Sequence, residues 1–315
     1  MIIARIGAGM GNQMFMYAAG LAVASKLNTE LLLDISSFSS YRRNDRPYQL
    51  SCFPEITERT ASFSDIWKLS PGLALVSVLH RKKLDIHHLT RRLMCEILYM
   101  TRIAPIGFKT VVRLPKDAKF PYPYRFSRIY IERNDRNRLY EIPDDTCIVG
   151  FWESEKFFDG YADKVRRKFR FSPECFGPVL SERVRNCNSV AVHVRRGDKV
   201  PNGEHGASNL TYLRHSIEKI LSLTEKPEFF VFSDDISWCK ENLRKAYEAD
   251  YHFIEGQTVA QDMALMSICK HVIMGPSTFS WWGAWLNENP SKIILAPQKY
   301  RENTDWHPRC AILVD

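Results

Sequence analysis

Two arginines follow a run of alternating apolar residues in the segment SVAVHVRRGDKV, residues 189–200. The first half has the pattern of a buried strand, and Arg195, Arg196 and Asp198 come directly after it. A guanidinium group stays protonated and offers a planar fork of N–H donors that matches phosphate oxygens. The segment therefore predicts a diphosphate site, with a structural Arg–Asp pair that closes a loop as the alternative. His193 points inward on the same strand, either toward a ligand or into the core.

Further polar residues follow the other strands expected in this half. They are Ser233, Asp234 and Asp235 after the second strand, Glu255 and Gly256 after the third, and Gly275, Pro276, Ser277 and Thr278 after the fourth. Ligands of doubly wound sheets bind at the carboxyl ends of the strands, so these residues predict a polar rim around a ligand. The stretch GPSTFS opens a helix, where Ser277 and Thr278 suit either a bound anion or an ordinary N-cap.

The segment GAGMGNQ, residues 7–13, approaches a dinucleotide-binding fingerprint. Gly7 and Gly9 lie between a predicted strand and helix, and Asp34 ends the next strand. The third glycine position is occupied by Asn12, which breaks the fingerprint. A nicotinamide-dependent oxidoreductase built on Gly7, Gly9 and Asp34 is the alternative function. The amide of Asn12 would otherwise hydrogen-bond sugar hydroxyls or cap the helix.

Strands and helices alternate in the C-terminal half. Strands are expected at 188–196, 228–233, 251–256, 271–275 and, as the last one, 292–297, with helices at 211–223, 236–247, 260–270 and 279–288. Short runs rich in Val, Ile and Phe, bounded by Gly, Pro and Asp, are typical of buried strands. Helices that connect successive strands predict a parallel, doubly wound α/β sheet.

The N-terminal half begins in the same way, with a strand at MIIARI, a helix over 12–27 and a strand over 30–34. A strand, a turn and a helix are expected within 145–159 and close the first domain. We therefore predict two domains, residues 1–170 and 171–315.

The composition indicates a soluble globular protein with anionic ligands. The net charge is +8, and basic residues are concentrated in 80–102, which forms a solvated helix face or contacts a membrane surface. A nucleic-acid binder would interleave basic and aromatic residues on one face, whereas the arginines here follow strand ends.

No signal peptide precedes the first strand, and the eight cysteines form no Cys-x-x-Cys pair, so we expect a cytoplasmic protein. No Asp-x-Asp or His-x-x-x-His spacing predicts a metal site.

Five stretches, in order, resemble the α-1,2-fucosyltransferase family, glycosyltransferase family 11. They are GAGMGNQMFMYAAGLAVA (7–24), ELLLDISSF (30–38), GFWESEKFF (150–158), VAVHVRRGD (190–198), and FSDDISWCK (232–240) with MGPSTFSWWGAWLN (274–287). The resemblance implies a GT-B-like fold of two Rossmann-type domains facing a cleft, the first on the acceptor side. It also implies an inverting, metal-independent transfer of fucose from GDP-fucose to the 2-hydroxyl of a terminal galactoside, in surface glycan or O-antigen synthesis, with no cofactor beyond the donor.

The resemblance also implies which residues contact the donor. They are Gly11, Asn12, His193, Arg195, Arg196, Asp198, Asp234, Asp262, Ser277, Thr278 and Phe279. Arg195 would bind the β-phosphate of the leaving GDP, and Arg196 and Asp198 would support the loop that carries it. Asp262 would pair with the N–H donors of guanine. Departures from the family pattern at Lys199 and Glu153 leave the acceptor open.

An inverting transfer requires that the acceptor hydroxyl lose its proton. Asp34, Glu153 and Glu155 are candidates for the base, and the β-phosphate of the donor is the alternative.

Overall fold

The computed structural model describes residues 1–39, 46–69, 74, 129–131, 136–196, 209–298 and 306–315. Asp198 and Lys199, as well as the basic segment 80–102, lie outside these residues. Within the described part of the chain, none of the helices combines the length and the apolarity that crossing a membrane requires.

The chain divides into two compact units. The first comprises Met1–Leu50, Ile56–Trp152 and Lys156–Val165, and the second comprises Ser51–Glu55, Glu153–Glu155 and Arg166–Asp315. The sequence predicts a boundary at 170/171 between two continuous domains, whereas here two short earlier segments belong to the second unit. Packing accounts for one of them, because the ring centroid of Phe53 lies 5.0 Å from that of Phe169 and 4.9 Å from that of Phe171.

The first unit contains a four-stranded parallel sheet in the order β2-β1-β4-β3. Its strands are β1 (Ile2–Arg5), β2 (Leu31–Asp34), β3 (Ile129–Ile131) and β4 (Thr146–Val149), and the helices of this part of the chain are α1 (Met10–Leu27), α2 (Phe63–Leu69), α3 (Arg136–Tyr140) and α4 (Ala162–Lys168). Helix α1 packs closely on β1 at Gly20, where a Cβ atom would come within 2.8 Å of the Ala4 Cβ. This contact requires glycine.

The segment after β4 differs from its prediction. In place of the helix expected within 145–159, 3₁₀ turns occupy Glu155–Phe157 and Asp159–Tyr161, and an α-helix begins only at Ala162. Phe157 and Phe158 are both buried in these turns.

The second unit contains a six-stranded parallel sheet in the order β10-β9-β8-β5-β6-β7. Its strands are β5 (Asn188–Val194), β6 (Pro227–Ser233), β7 (Tyr251–Phe253), β8 (His271–Ile273), β9 (Ile294–Pro297) and β10 (Ala311–Val314), and its further helices are α5 (Pro178–Asn186), α6 (Leu210–Leu223), α7 (Ile236–Ala246), α8 (Val259–Ile268) and α9 (Thr278–Leu286). The predicted strands are present, but β9 is not the last of them. The predicted α/β class with two Rossmann-type units is confirmed.

Successive side chains of β5 face opposite sides of the sheet, with the apolar core on one side and His193 on the other. Val190, Val192 and Val194 pack in one apolar cluster with Leu213 and Leu243 from the helices of one face. Side chains of a strand point alternately to opposite faces, so His193 projects on the other side of the sheet.

Candidate functional site

The strand order of the second sheet reverses between β5 and β8. Counted from β5, the order is that of a dinucleotide-binding fold, in which the ligand occupies the crevice outside the carboxyl ends of the two strands at the reversal. Arg195 and Arg196 follow β5, and the stretch 275–278 follows β8. The two polar stretches that the sequence singled out therefore meet at the same edge of the sheet.

Asp234, directly after β6, contacts both arginines. One carboxylate oxygen accepts a hydrogen bond from the backbone N–H of Arg196 at 2.8 Å, and the other lies 3.6 Å from Arg195 Nε. The hydroxyl of Ser233 donates to the backbone oxygen of Val194 at 2.8 Å and accepts from the N–H of Asp235 at 3.0 Å. Both strand ends are thus held together by side chain–backbone hydrogen bonds.

Arg196 lies between an aromatic ring and a carboxylate. Its guanidinium carbon is 3.7 Å from the ring centroid of Trp238, and its Nε is 3.6 Å from Asp235 Oδ2. The other carboxylate oxygen of Asp235 accepts from the backbone N–H of Trp238 at 3.2 Å and caps α7. Trp238 was not among the site residues predicted from the sequence. Its position three residues after an Asp N-cap, at the end of a neighbouring strand, was the available signal.

The turn after β8 leads into α9 through Ser277. The Ser277 hydroxyl accepts from the N–H of Phe279 at 3.2 Å, and the Ser280 hydroxyl donates to the backbone oxygen of Gly275 at 3.0 Å. The positive end of the α9 dipole therefore opens at the crevice, where a bound phosphate would be stabilised.

His193 is a buried polar side chain whose Nδ1 has no hydrogen-bond partner among the described residues. Its ring centroid lies 5.6 Å from that of Phe279, in the first turn of α9. Burial lowers the pKa of His193 to about 4, with Asp234 opposing and Arg195 reinforcing the shift. The imidazole is therefore neutral at physiological pH and can exchange a hydrogen bond with a ligand without adding charge.

Asp262 lies in the first turn of α8 and does not cap it. Thr258 and Gln261 form the capping box, in which the N–H of Gln261 donates to the Thr258 hydroxyl at 3.3 Å. Within the described residues no hydrogen bond or ion pair reaches the Asp262 carboxylate, and burial raises its pKa to about 7. A partly buried carboxylate of this kind is stabilised by a ligand that offers N–H donors.

The segment at residues 7–13 leads into α1, and the Gln13 side chain links it to residues 47–49. The Gln13 amide nitrogen donates to the backbone oxygens of Ala8 and Pro47 at 2.8 and 2.9 Å, and its oxygen accepts from the N–H of Gln49 at 2.9 Å. Gln13 thus holds residues 47–49 against the start of α1. Gly11 and Asn12 lie in the first turn of the same helix. A Cβ atom on Gly9 would come within 3.2 Å of the Arg46 side chain.

Asp34 is almost completely buried, with a side-chain exposure of 1%. Its carboxylate lies 3.4 Å from Arg5 Nη1 and accepts from the N–H of Ser36 at 3.0 Å. Arg5 and Asp34 are register partners in the β1–β2 pair, so the ion pair is part of the sheet. This environment suits neither a ribose ligand, as the oxidoreductase alternative requires, nor a base that must reach a hydroxyl.

The other two candidate bases belong to the second unit. Glu153 is buried after β4, and Glu155 begins the next 3₁₀ turn with Arg309 Nε 4.0 Å away.

One group of described side chains has the composition of a metal site, although the sequence spacing predicted none. Glu228, Asp250 and His252 bring their ligand atoms together at the amino ends of β6 and β7, the edge opposite the arginines. The guanidinium of Arg183 lies 3.4 Å from Glu228 and 3.2 Å from His252 Nε2. This cation already provides the positive charge that an ion would supply.

Known proteins resemble this chain over different lengths. A family model described as glycosyl transferase family 11 matches residues 129–307. The α-1,2-colitosyltransferase of Escherichia coli is 32% identical over 96% of this chain and 93% of that protein. The O-antigen biosynthesis glycosyltransferase WbnK of E. coli is 28% identical over 94% of this chain and 93% of that protein. Human galactoside α-(1,2)-fucosyltransferase 1 is 33% identical over 44% of this chain and 42% of that protein.

Proposed function

Because the chain belongs to glycosyl transferase family 11, we propose that it transfers L-fucose from GDP-fucose to the 2-hydroxyl of a terminal galactoside. The observation that carries the proposal is the crevice at the β5/β8 reversal, where Arg195, the α9 N-terminus and His193 meet. The names of two relatives, a colitosyltransferase and a fucosyltransferase, specify the same 1,2 linkage.

In this proposal Arg195 and the turn before α9 bind the diphosphate. Departure of GDP increases negative charge on the β-phosphate while the sugar gains oxocarbenium character. A guanidinium already oriented by Asp234, 3.6 Å away, stabilises that charge as it develops, with little reorganisation. The Ser277 hydroxyl and the α9 dipole act in the same direction. The neutral His193 positions the donor through Nδ1 without adding charge.

We assign recognition of the base to Asp262. Guanine presents N1–H and a 2-amino group on one edge, and an ionised carboxylate accepts both hydrogen bonds. Adenine and uracil do not offer this pair of donors. The absence of any described partner for the carboxylate, and its raised pKa, support this role.

Proton removal from the acceptor is assigned to Glu153 or Glu155. Asp34 is a poorer candidate because Arg5 and the N–H of Ser36 already bind its carboxylate. Attack by the hydroxyl on the face opposite the leaving GDP inverts the anomeric centre. We propose that Arg195 replaces a metal ion in neutralising the leaving diphosphate.

A colitosyl donor is the second candidate. It is favoured by the E. coli α-1,2-colitosyltransferase, whose similarity extends over 96% of this chain. Colitose is L-fucose without its 3-hydroxyl, so the two donors differ in one hydrogen-bonding group. The similarity to an O-antigen biosynthesis glycosyltransferase supports a galactose-terminated surface glycan as acceptor.

We also propose that the enzyme works in the cytoplasm and contacts the membrane face through the basic residues of 80–102. Polybasic segments bind anionic lipid at low salt and dissociate as salt rises. Binding to vesicles with phosphatidylglycerol but not to vesicles of phosphatidylcholine alone would support the contact, and equal binding to both would contradict it.

One experiment tests the activity. The full chain is incubated with GDP-fucose, GDP-colitose or, as a control, UDP-galactose, together with a panel of β-galactosides, and the linkage of the product is determined by NMR. We expect product from a GDP-sugar only, with the new bond at the 2-hydroxyl of galactose. Another linkage, or transfer from UDP-galactose, would contradict the proposal.

A further inference from the structure

The two consecutive arginines have different surroundings. Arg196 has one face of its guanidinium on Trp238 at 3.7 Å, its Nε beside Asp235 at 3.6 Å and its backbone N–H bonded to Asp234 at 2.8 Å. Arg195 shares Asp234 through the second carboxylate oxygen. Side-chain exposure is similar, at 16% for Arg195 and 17% for Arg196, so burial alone does not distinguish them.

We propose that Trp238 is a positioning residue for the donor site. Arg196 then supports the backbone that carries Arg195 and does not bind phosphate itself. Trp238 and Asp235 hold the Arg196 side chain on α7, and this contact fixes the backbone that carries Arg195. The inference rests on the proposed function, because it concerns the binding of the same GDP-sugar.

The contact is suited to this role because two of its components are rigid. Trp238 lies in the first turn of α7, and the Asp235 carboxylate that faces Arg196 also caps that helix. Arginine stacks on an aromatic face through its planar guanidinium, which lysine does not have. Lysine at 196 would keep the charge but lose the stacking.

Separate variants test the aromatic ring of Trp238, the negative charge of Asp235 and the helix cap that Asp235 provides. Trp238→Leu removes the ring, whereas Trp238→Phe keeps an aromatic face. Asp235→Asn retains a capping oxygen, since Asn and Asp are comparable N-caps, and removes the charge beside Arg196. Trp67→Leu is the matched control, because Trp67 is an exposed helical tryptophan on α2 whose ring partner is Phe63 at 5.5 Å.

The measurements are the Kd of GDP by calorimetry, steady-state kinetics for donor and acceptor, and the melting temperature without ligand. We expect Trp238→Leu to weaken GDP binding roughly threefold to tenfold and to raise the donor KM similarly, with the acceptor KM unchanged. Trp238→Phe should stay within about twofold of the unaltered chain, and Asp235→Asn should weaken binding by about twofold to threefold. A purely structural role would lower kcat through loss of active protein without changing the GDP Kd.

A double-mutant cycle of Trp238→Leu with Arg196→Lys tests whether Arg196 acts through its contact with Trp238. If Arg196 acts through Trp238, the double variant should bind GDP no more weakly than the worse single variant. Effects that multiply would show that Arg196 contacts the donor directly and would overturn the inference. An unchanged GDP Kd in Trp238→Leu would overturn it as well. If that variant does not fold, Asp235→Asn takes its place in the cycle with Arg196→Lys.

The unaltered chain separates the two proposals. If it does not bind GDP, the proposed function fails and this inference with it. If it binds GDP while Trp238→Leu and Asp235→Asn bind equally well, only the positioning role fails.

Discussion

The Asp234 carboxylate accepts a hydrogen bond from the backbone N–H of Arg196 at 2.8 Å, and this bond joins the end of β5 to the end of β6. Asp234→Asn keeps an oxygen acceptor for that N–H but removes the charge that faces Arg195. We expect kcat/KM for the donor to fall by about tenfold, the magnitude of one charge-assisted contact. Asp234→Ala should be worse, because it also leaves the N–H without its acceptor. Equal activity of the Asn variant and the unaltered chain would show that the charge of Asp234 does not orient Arg195.

Arg195 is expected to be essential for transfer. Arg195→Ala should lower kcat by about two to three orders of magnitude, the usual effect of removing one preorganised donor at a site of developing charge. Arg195→Lys should also be poor, because a point charge does not reproduce the bidentate fork. The melting temperature should change little, which thermal unfolding would check. Near-normal turnover in either variant would contradict the assignment.

Asp262 should make GDP binding depend on pH. Burial raises its pKa to about 7, so between about pH 4 and pH 7 the folded chain holds a proton that the unfolded chain has released. Its contribution to the free energy of unfolding therefore decreases as pH rises through that window. Since guanine requires the ionised form, GDP affinity should fall about tenfold per pH unit below pH 7.

Asp262→Asn tests both effects. At pH 8 the variant without ligand should melt at a higher temperature, bind GDP more weakly and prefer GDP less over ADP and UDP. Asp163→Asn, at an exposed position, is the control. If the nucleotide preference of Asp262→Asn is unchanged, the guanine is recognised elsewhere.

His193 should destabilise the fold in acid. Its pKa in the folded chain is about 4 against 6.5 in the unfolded chain, so only the unfolded chain gains the proton between these values. The contribution of His193 to the free energy of unfolding is therefore constant above about pH 6.5. It decreases as pH falls toward 4, by about 3 kcal/mol at most. His193→Gln should flatten this acid slope in chemical denaturation, whereas His215→Gln, at an exposed position, should not. The same slope in both variants would contradict the burial argument.

Chelation should not affect transfer if Arg195 and the α9 N-terminus neutralise the diphosphate. Activity in EDTA should equal activity without it, measured by GDP release. A loss that manganese or magnesium reverses would show that a metal is required. Glu228→Gln would then test whether the group at Glu228, Asp250 and His252 holds the ion.

The strands of the second unit could be predicted because each is a short local pattern. The site at their ends could be inferred for the same reason, since parallel strands bring their carboxyl ends to one edge. The strand β10 was not predicted because Ile312 and Leu313 are both exposed, so its sequence has no alternation of buried and exposed positions. The burial of Asp34 depends on Arg5, its register partner 29 residues away.

The contact between Arg196 and Trp238 could not be predicted in the same way. It depends on the register of β5 against β6, which brings the residue pairs after both strands together. That register is set by the pairing of seven residues of each strand, and no single motif encodes it.

The second unit includes Ser51–Glu55, a segment more than a hundred residues earlier in the chain than Arg166. Phe53 packs there against Phe169 and Phe171, and the backbone oxygen of Glu55 accepts a hydrogen bond from Lys168 Nζ at 2.7 Å. Gene fusion at a single crossover near residue 166 would therefore separate one half of an aromatic cluster from the other. Recombination between family members near this position would preserve the cluster only if residues 51–55 were inherited together with the C-terminal half, so the two halves of the chain do not evolve as independent modules.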